Sequence, residues 1–192
     1  MNRGRDTLLA AALIISLGRP EIERALDLAR WPHTDAERAQ FHARYFTKFK
    51  VPDALAGPAV ESIEVITEFR RMELIAEQHA RLNDLFARGG FIHEAENALK
   101  PFRGHVSIIA HVRFGLVTVT APNYTVAIAG PNAPQAVGDK TTPIFGDKTQ
   151  IGADFEVMFD AAAIGQTPRI AIVRGDVGAE LARATIDFGS IE

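Results

Sequence analysis

The spacing of apolar residues changes near residue 101, and no other feature constrains the fold of this chain as strongly. Before that point apolar side chains recur every three or four residues, the period of a helix face. After it they alternate, the period of a strand. Charge divides the same way: residues 1–100 carry 29 charged side chains (14 basic, 15 acidic) and residues 101–192 only 16 (7 basic, 9 acidic). The expected fold is α+β, with N-terminal helices ending in one long helix, followed by a C-terminal antiparallel β-sandwich, immunoglobulin-like or a small barrel. The expected organisation is a signal peptide over residues 1–18, a helical region over 19–100 and a sandwich domain over 101–192.

Pro20 opens a helix that runs to Arg30, acids first and a base last, as the helix dipole favours. Thr34 or Asp35 caps a second, expected to reach about Phe49 with Phe41, Tyr45 and Phe49 on one face. Gly57-Pro58 opens the longest element, expected to persist to Gly89-Gly90 with Val65, Phe69, Met72, Ala76, His79 and Phe86 as its stripe. A short helix around His93–Leu99 closes at Pro101.

Strands are expected at His105–Phe114, Val117–Thr120, Tyr124–Ala129, Ile144-Phe145, Ile151–Phe159, Arg169–Val173 and Glu180–Phe188, with a helical turn at Asp160–Ile164. Gly130 to Pro143 reads as a loop. Gly-Asp-Lys-Thr occurs at 138–141 and again at 146–149, without the glycine spacing of a phosphate loop. The second copy is expected to turn a hairpin, and the first lies in the loop. Strands and helices do not alternate, which argues against a parallel nucleotide-binding sheet.

Arg3 and Arg5 precede an uncharged run from Thr7 to Gly18. It is too short to span a membrane, which takes about 20 residues. A basic start, an apolar middle and the small residues Ser16 and Gly18 before a possible cut are the signature of export. The mature chain would then start at Arg19 and be periplasmic or secreted, with membrane proximity only through the N-terminal segment. The alternative is a cytoplasmic chain in which residues 7–17 form a buried helix. The chain has no cysteine, which excludes thiol catalysis, cysteine zinc sites and disulfides. A net charge of −3 gives no support to nucleic-acid binding.

The catalytic inventory is thin. None of the four serines sits in a nucleophile elbow, and no catalytic residue or cofactor is expected. His79, His93, His105 and His111 are the candidate metal ligands, with no H-E-x-x-H pattern among them. His105 and His111 share a strand face but stand about 20 Å apart along it. Glu61, Glu64 and Glu68 at helical spacing read as a solvated face. Glu68, Phe69, Arg70 and Arg71 read as an interaction motif, a carboxylate and two guanidiniums beside an aromatic, suited to clamping the helix by ion pairs. The twelve phenylalanines against one tryptophan fit core packing better than a carbohydrate-binding surface. The expected function is a non-enzymatic exported interaction or assembly protein that meets a protein partner or a second copy. A histidine-based metal protein or enzyme at the helix–sandwich junction is one alternative, and a cytoplasmic helical adaptor another.

Overall fold

A computed structural model describes residues 17–29, 34–52, 57–82, 92–115, 123–175 and 178–191. The expected strand Val117–Thr120, residues 83–90 of the long helix and residues 1–16 lie outside them. The chain is α+β, and among the described residues there are five α-helices: α1 (Arg19–Leu28), α2 (Asp35–His42), α3 (Glu68–Arg81), α4 (Ile92–Leu99) and the short α5 (Ala161–Ile164). The strands are β1 (Phe46–Lys48), β2 (Ala59–Ile66), β3 (His105–Arg113), β4 (Thr125–Ala129), β5 (Ala136–Gly146), β6 (Thr149–Asp160), β7 (Pro168–Arg174) and β8 (Glu180–Asp187). They form two antiparallel sheets, ordered β1-β2-β3-β6-β5 and β4-β7-β8, which do not close into a barrel.

Four expectations are corrected. Helices do not all precede strands, because β1 and β2 come from the first half and β2 pairs directly with β3. The helix expected from residue 57 starts only at Glu68. Val60, Ile63, Val65 and Ile66 are β-branched, a composition that suits a central strand better than a helix. Thr67 then caps α3, its hydroxyl accepting from the Arg70 amide at 3.1 Å. The second helix stops at His42, followed by a three-residue 3₁₀ turn, Ala43–Tyr45, and by β1, so Phe41, Tyr45 and Phe49 share no helix face.

The segment expected as a loop over 130–143 is largely strand. Ala136–Gly146 pairs with β6 along its length, and the second Gly-Asp-Lys-Thr turns the hairpin at Asp147, whose φ is +53°. Gly152 is obligatory on β6: a Cβ there would lie 2.5 Å from the Val112 carbonyl oxygen.

Two cores hold the molecule. One is shared by both sheets and includes Val65, Ile108, Val157 and Phe159 of the first sheet with Val126, Val173 and Ile186 of the second. The other joins α1, α3 and α4 through Ile22, Leu26, Phe69, Met72, Ala95 and Leu99. Each such side chain contributes about 2 kcal/mol on removal from water. Register carries the alternation across the five-stranded sheet. One face presents Val65, Ile108 and Val157 in line, and the opposite face carries Ser62, His111 and Asp154 in one row and Phe46, Glu64, Ile109 and Glu156 in the next. The second face is largely polar and receives the arginines of α3.

Candidate functional site

Arg70 is the centre of a charged cluster between α3 and the polar sheet face. Its side chain is only 2% exposed, and its guanidinium donates to Glu64 Oε1 at 3.1 Å and lies 3.7 Å from Glu73 Oε2. The same guanidinium stacks over the Tyr45 ring at 4.6 Å, and Arg44 covers that ring at 4.8 Å. Arg44 also donates to Glu73 at 3.0 Å. Burial and the neighbouring Glu73 carboxylate push the Tyr45 hydroxyl well above its ordinary range, so it stays protonated. Glu64, Glu73 and Glu77 are nearly or fully inaccessible, and each has at least one guanidinium within ion-pair distance.

Two histidines belong to this cluster in opposite charge states. Arg70 Nη1 donates to His42 Nδ1 at 2.6 Å, and His42 Nε2 faces Glu77 Oε2 at 2.9 Å. A guanidinium has no lone pair to accept with, so Nδ1 is the acceptor and the ring is the neutral Nε2–H tautomer. Burial and the Arg70 charge outweigh Glu77 and Glu64, holding His42 below its ordinary value of 6.5. His111 has Asp154 Oδ1 2.7 Å from Nδ1 and Glu64 Oε2 3.3 Å from Nε2, with Phe46 stacked on the ring. Burial opposes its charge, but the bonds to Asp154 and Glu64 prevail and raise it to about 9. Both histidines have both nitrogens occupied, so neither presents a free acid or base to a substrate.

These states set a pH dependence. His111, raised on folding, contributes stability that is complete below 6.5 and is lost as pH rises through about 9. His42, depressed, contributes stability present above 6.5 and lost as pH falls through its folded value. Stability from this pair is therefore greatest near pH 6.5. Thermal melts from pH 6.5 to 9.5 are expected to lose about 2 kcal/mol through His111, allowing for solvent screening at a half-buried ring. In His111→Gln that alkaline slope should vanish; a slope as steep as wild type would refute the assignment.

An open cleft of about 430 Å³ lies over the cluster. His42, Phe46, Leu74 and Leu82 line its walls, Arg70 and Glu64 its floor, and Arg81 contributes to its lining. Arg81 also donates to Glu77 at 2.6 Å.

The residues singled out in the sequence are dispersed. His79 is on α3, and His93, exposed on α4, lies 4.0 Å from Glu96. His105 and His111 stand at opposite ends of β3. Among the described residues, no group of three or more histidines and carboxylates is placed to hold a metal ion. Glu61 and Glu64 are strand residues rather than part of a helical acidic face; Glu61 pairs with Arg113 at 3.1 Å. In the Glu68–Arg71 motif, Phe69 enters the helical core and Arg71 donates to Ser107 at 3.0 Å and Glu156 at 2.6 Å. Glu68 accepts from the Leu17 amide at 3.0 Å, the Gly104 amide at 2.6 Å and Arg103 Nη1 at 3.1 Å. These four residues tie α3 to the sheet and to the segment before α1. The four-residue spacing of Glu77 and Arg81 marks a favourable pair in the sequence, and the structure forms it at 2.6 Å. His42, Glu73 and Asp154 were not singled out.

No family model, curated protein or solved structure matches the chain.

A second feature stands apart from the cleft. β5 is an edge of the five-stranded sheet, eleven residues long and exposed along almost all of its length. Its hairpin with β6 continues past the end of β3, carrying exposed Ile144, Phe145 (63%) and Ile151. Asp139, Lys140 and Pro143 interrupt this edge without closing it. Among the described residues, no helix is long and apolar enough to cross a membrane.

Proposed function

We propose that this is a non-enzymatic interaction protein that receives an extended segment of a partner protein as an added strand on β5. One observation carries the reading: an eleven-residue sheet edge, exposed along almost all of its length, ends in the apolar hairpin tip of Ile144, Phe145 and Ile151. Main-chain hydrogen bonds along the edge would supply affinity, and the apolar tip would select side chains on the incoming strand. A second copy of the chain is the competing occupant. Sedimentation of cell extract distinguishes them. The wild-type chain is expected in a species heavier than 20.9 kDa that contains another protein, and the variant Phe145→Asp with Ile151→Asp should fall to the monomer mass. A homodimer would replace the partner reading, and identical sedimentation of both proteins would refute it.

The site of action in this reading is the periplasm or the exterior, on the strength of the basic start and apolar run before Arg19. One observation favours the cytoplasmic alternative. Leu17 is buried in the helical core, its amide donates to Glu68, and its carbonyl accepts from Arg103 at 2.6 Å. A cut after Gly18 would remove these contacts. Deleting residues 2–18 should leave the melting temperature unchanged if the exported form begins at Arg19. It should lower it clearly if Leu17 works within the folded protein.

A further inference from the structure

We propose that helix α2 is a polar latch on the cleft, held shut by a neutral His42 and released when acid protonates that ring. The helix has no buried residue of its own, so apolar packing does little to hold it. Its attachments to α3 are polar: His42 Nε2 to Glu77 at 2.9 Å, Arg38 to the same carboxylate at 4.0 Å, and the bond His42 Nδ1 accepts from Arg70. The Thr34–Glu37 capping box keeps α2 helical from its N-terminal end. Next in the chain, the turn Ala43–Tyr45 is anchored by buried Tyr45, which places the hinge at the C-terminal end of the helix.

Protonation reverses the sign of the key contact. An Nδ1–H would face the Arg70 N–H at 2.6 Å, cation against cation, with no room for a water between them. The groups facing His42 are Arg70, Glu77 and Arg81 from α3, Glu64 from β2, and Arg38 and Phe41 from α2 itself. Glu77 attracts the imidazolium but is shared with Arg81 and Arg38, and Glu64 is already committed to Arg70 and His111. Neither carboxylate is free to compensate. Undocking returns His42 to water, where its ordinary value applies, so protonation and release are linked. Release removes one wall of the cleft and bares Arg70 and Glu64 on its floor.

The chain has no cysteine, so labels can be placed cleanly. Spin labels at Ala39→Cys on α2 and Thr142→Cys on β5 would report the distance between latch and sheet. A single narrow distribution is expected at pH 7.5. Below pH 6.5 a broader, longer one should grow, with a midpoint matching the His42 ring titration seen by NMR. In His42→Gln the amide can accept from Arg70 and donate to Glu77 without titrating, and the narrow distribution should persist at pH 5. Three results would overturn the proposal: no change in wild type between pH 7.5 and 5, opening of His42→Gln in acid or at both pH values, or a midpoint that does not follow His42. Loss of sheet circular dichroism at pH 5 would also overturn it, because the transition would then be global.

Discussion

Arg70→Met is expected to destabilise the protein by about 3–5 kcal/mol, the range for removing one partner of a buried charge cluster. Methionine fills much of the same space, so the loss falls on charge rather than volume. Glu64 would keep only His111, Glu73 would keep Arg44, and His42 Nδ1 would lose its donor. For a chain of this size the shift corresponds to a fall of about 10 °C in Tm. The distinguishing sign is its pH dependence. The stranded carboxylates take up protons more readily, so the deficit should shrink as pH falls below 5. Adding Glu64→Gln and Glu73→Gln should recover much of the loss, the non-additivity expected of one network. A deficit equal at pH 7 and pH 4.5 would assign the role of Arg70 to packing over Tyr45 instead.

Glu68→Ala should cost about 3 kcal/mol or more. The carboxylate is fully buried and accepts three hydrogen bonds, two of them from the main-chain amides of Leu17 and Gly104. Its removal leaves the Leu17 and Gly104 amides unsatisfied, each at about 1–3 kcal/mol, and deprives Arg103 of its counter-charge. It also removes an anion from the first turn of α3, where the helix dipole favours one. Hydrogen exchange locates the damage: the Leu17 and Gly104 amides should lose protection together, while β6 keeps its own. Unchanged protection at Leu17 would show that the segment before α1 is held by apolar contacts alone.

The strands His105–Arg113, Thr125–Ala129, Thr149–Asp160, Pro168–Arg174 and Glu180–Asp187 were legible in the main from alternation and β-branched residues. Residues 59–66 were not, because Val65 and Ile66 continue in helical register into Phe69 and Met72. Periodicity alone ran the strand and the helix together, although Thr67 marked the boundary. β5 was obscured by Gly138 and Pro143, ordinary loop residues that an exposed edge tolerates. A Cβ at Gly138 would sit 2.8 Å from the Met158 methyl, so that glycine answers to a neighbour twenty residues away. The charged cluster was half visible. Glu68, Arg70 and Arg71 stood out as a motif, but the partners His42, His111 and Asp154 come from α2, β3 and β6. The register of β2, β3 and β6 places Glu64 beside His111 and Asp154, and the packing of α2 on α3 adds His42.

The claim that β5 is the working edge is tested most directly by photo-crosslinking in living cells, one position at a time. A photoreactive residue would replace Val137, Thr141 or Phe145 on β5, and Gln78 or Leu82 beside the cleft. Adducts with one identified protein are expected at the three β5 positions, mapping to an extended segment of that protein. Adducts confined to 78 and 82, or none at 137, 141 and 145, would contradict the account and move the binding site to the cleft.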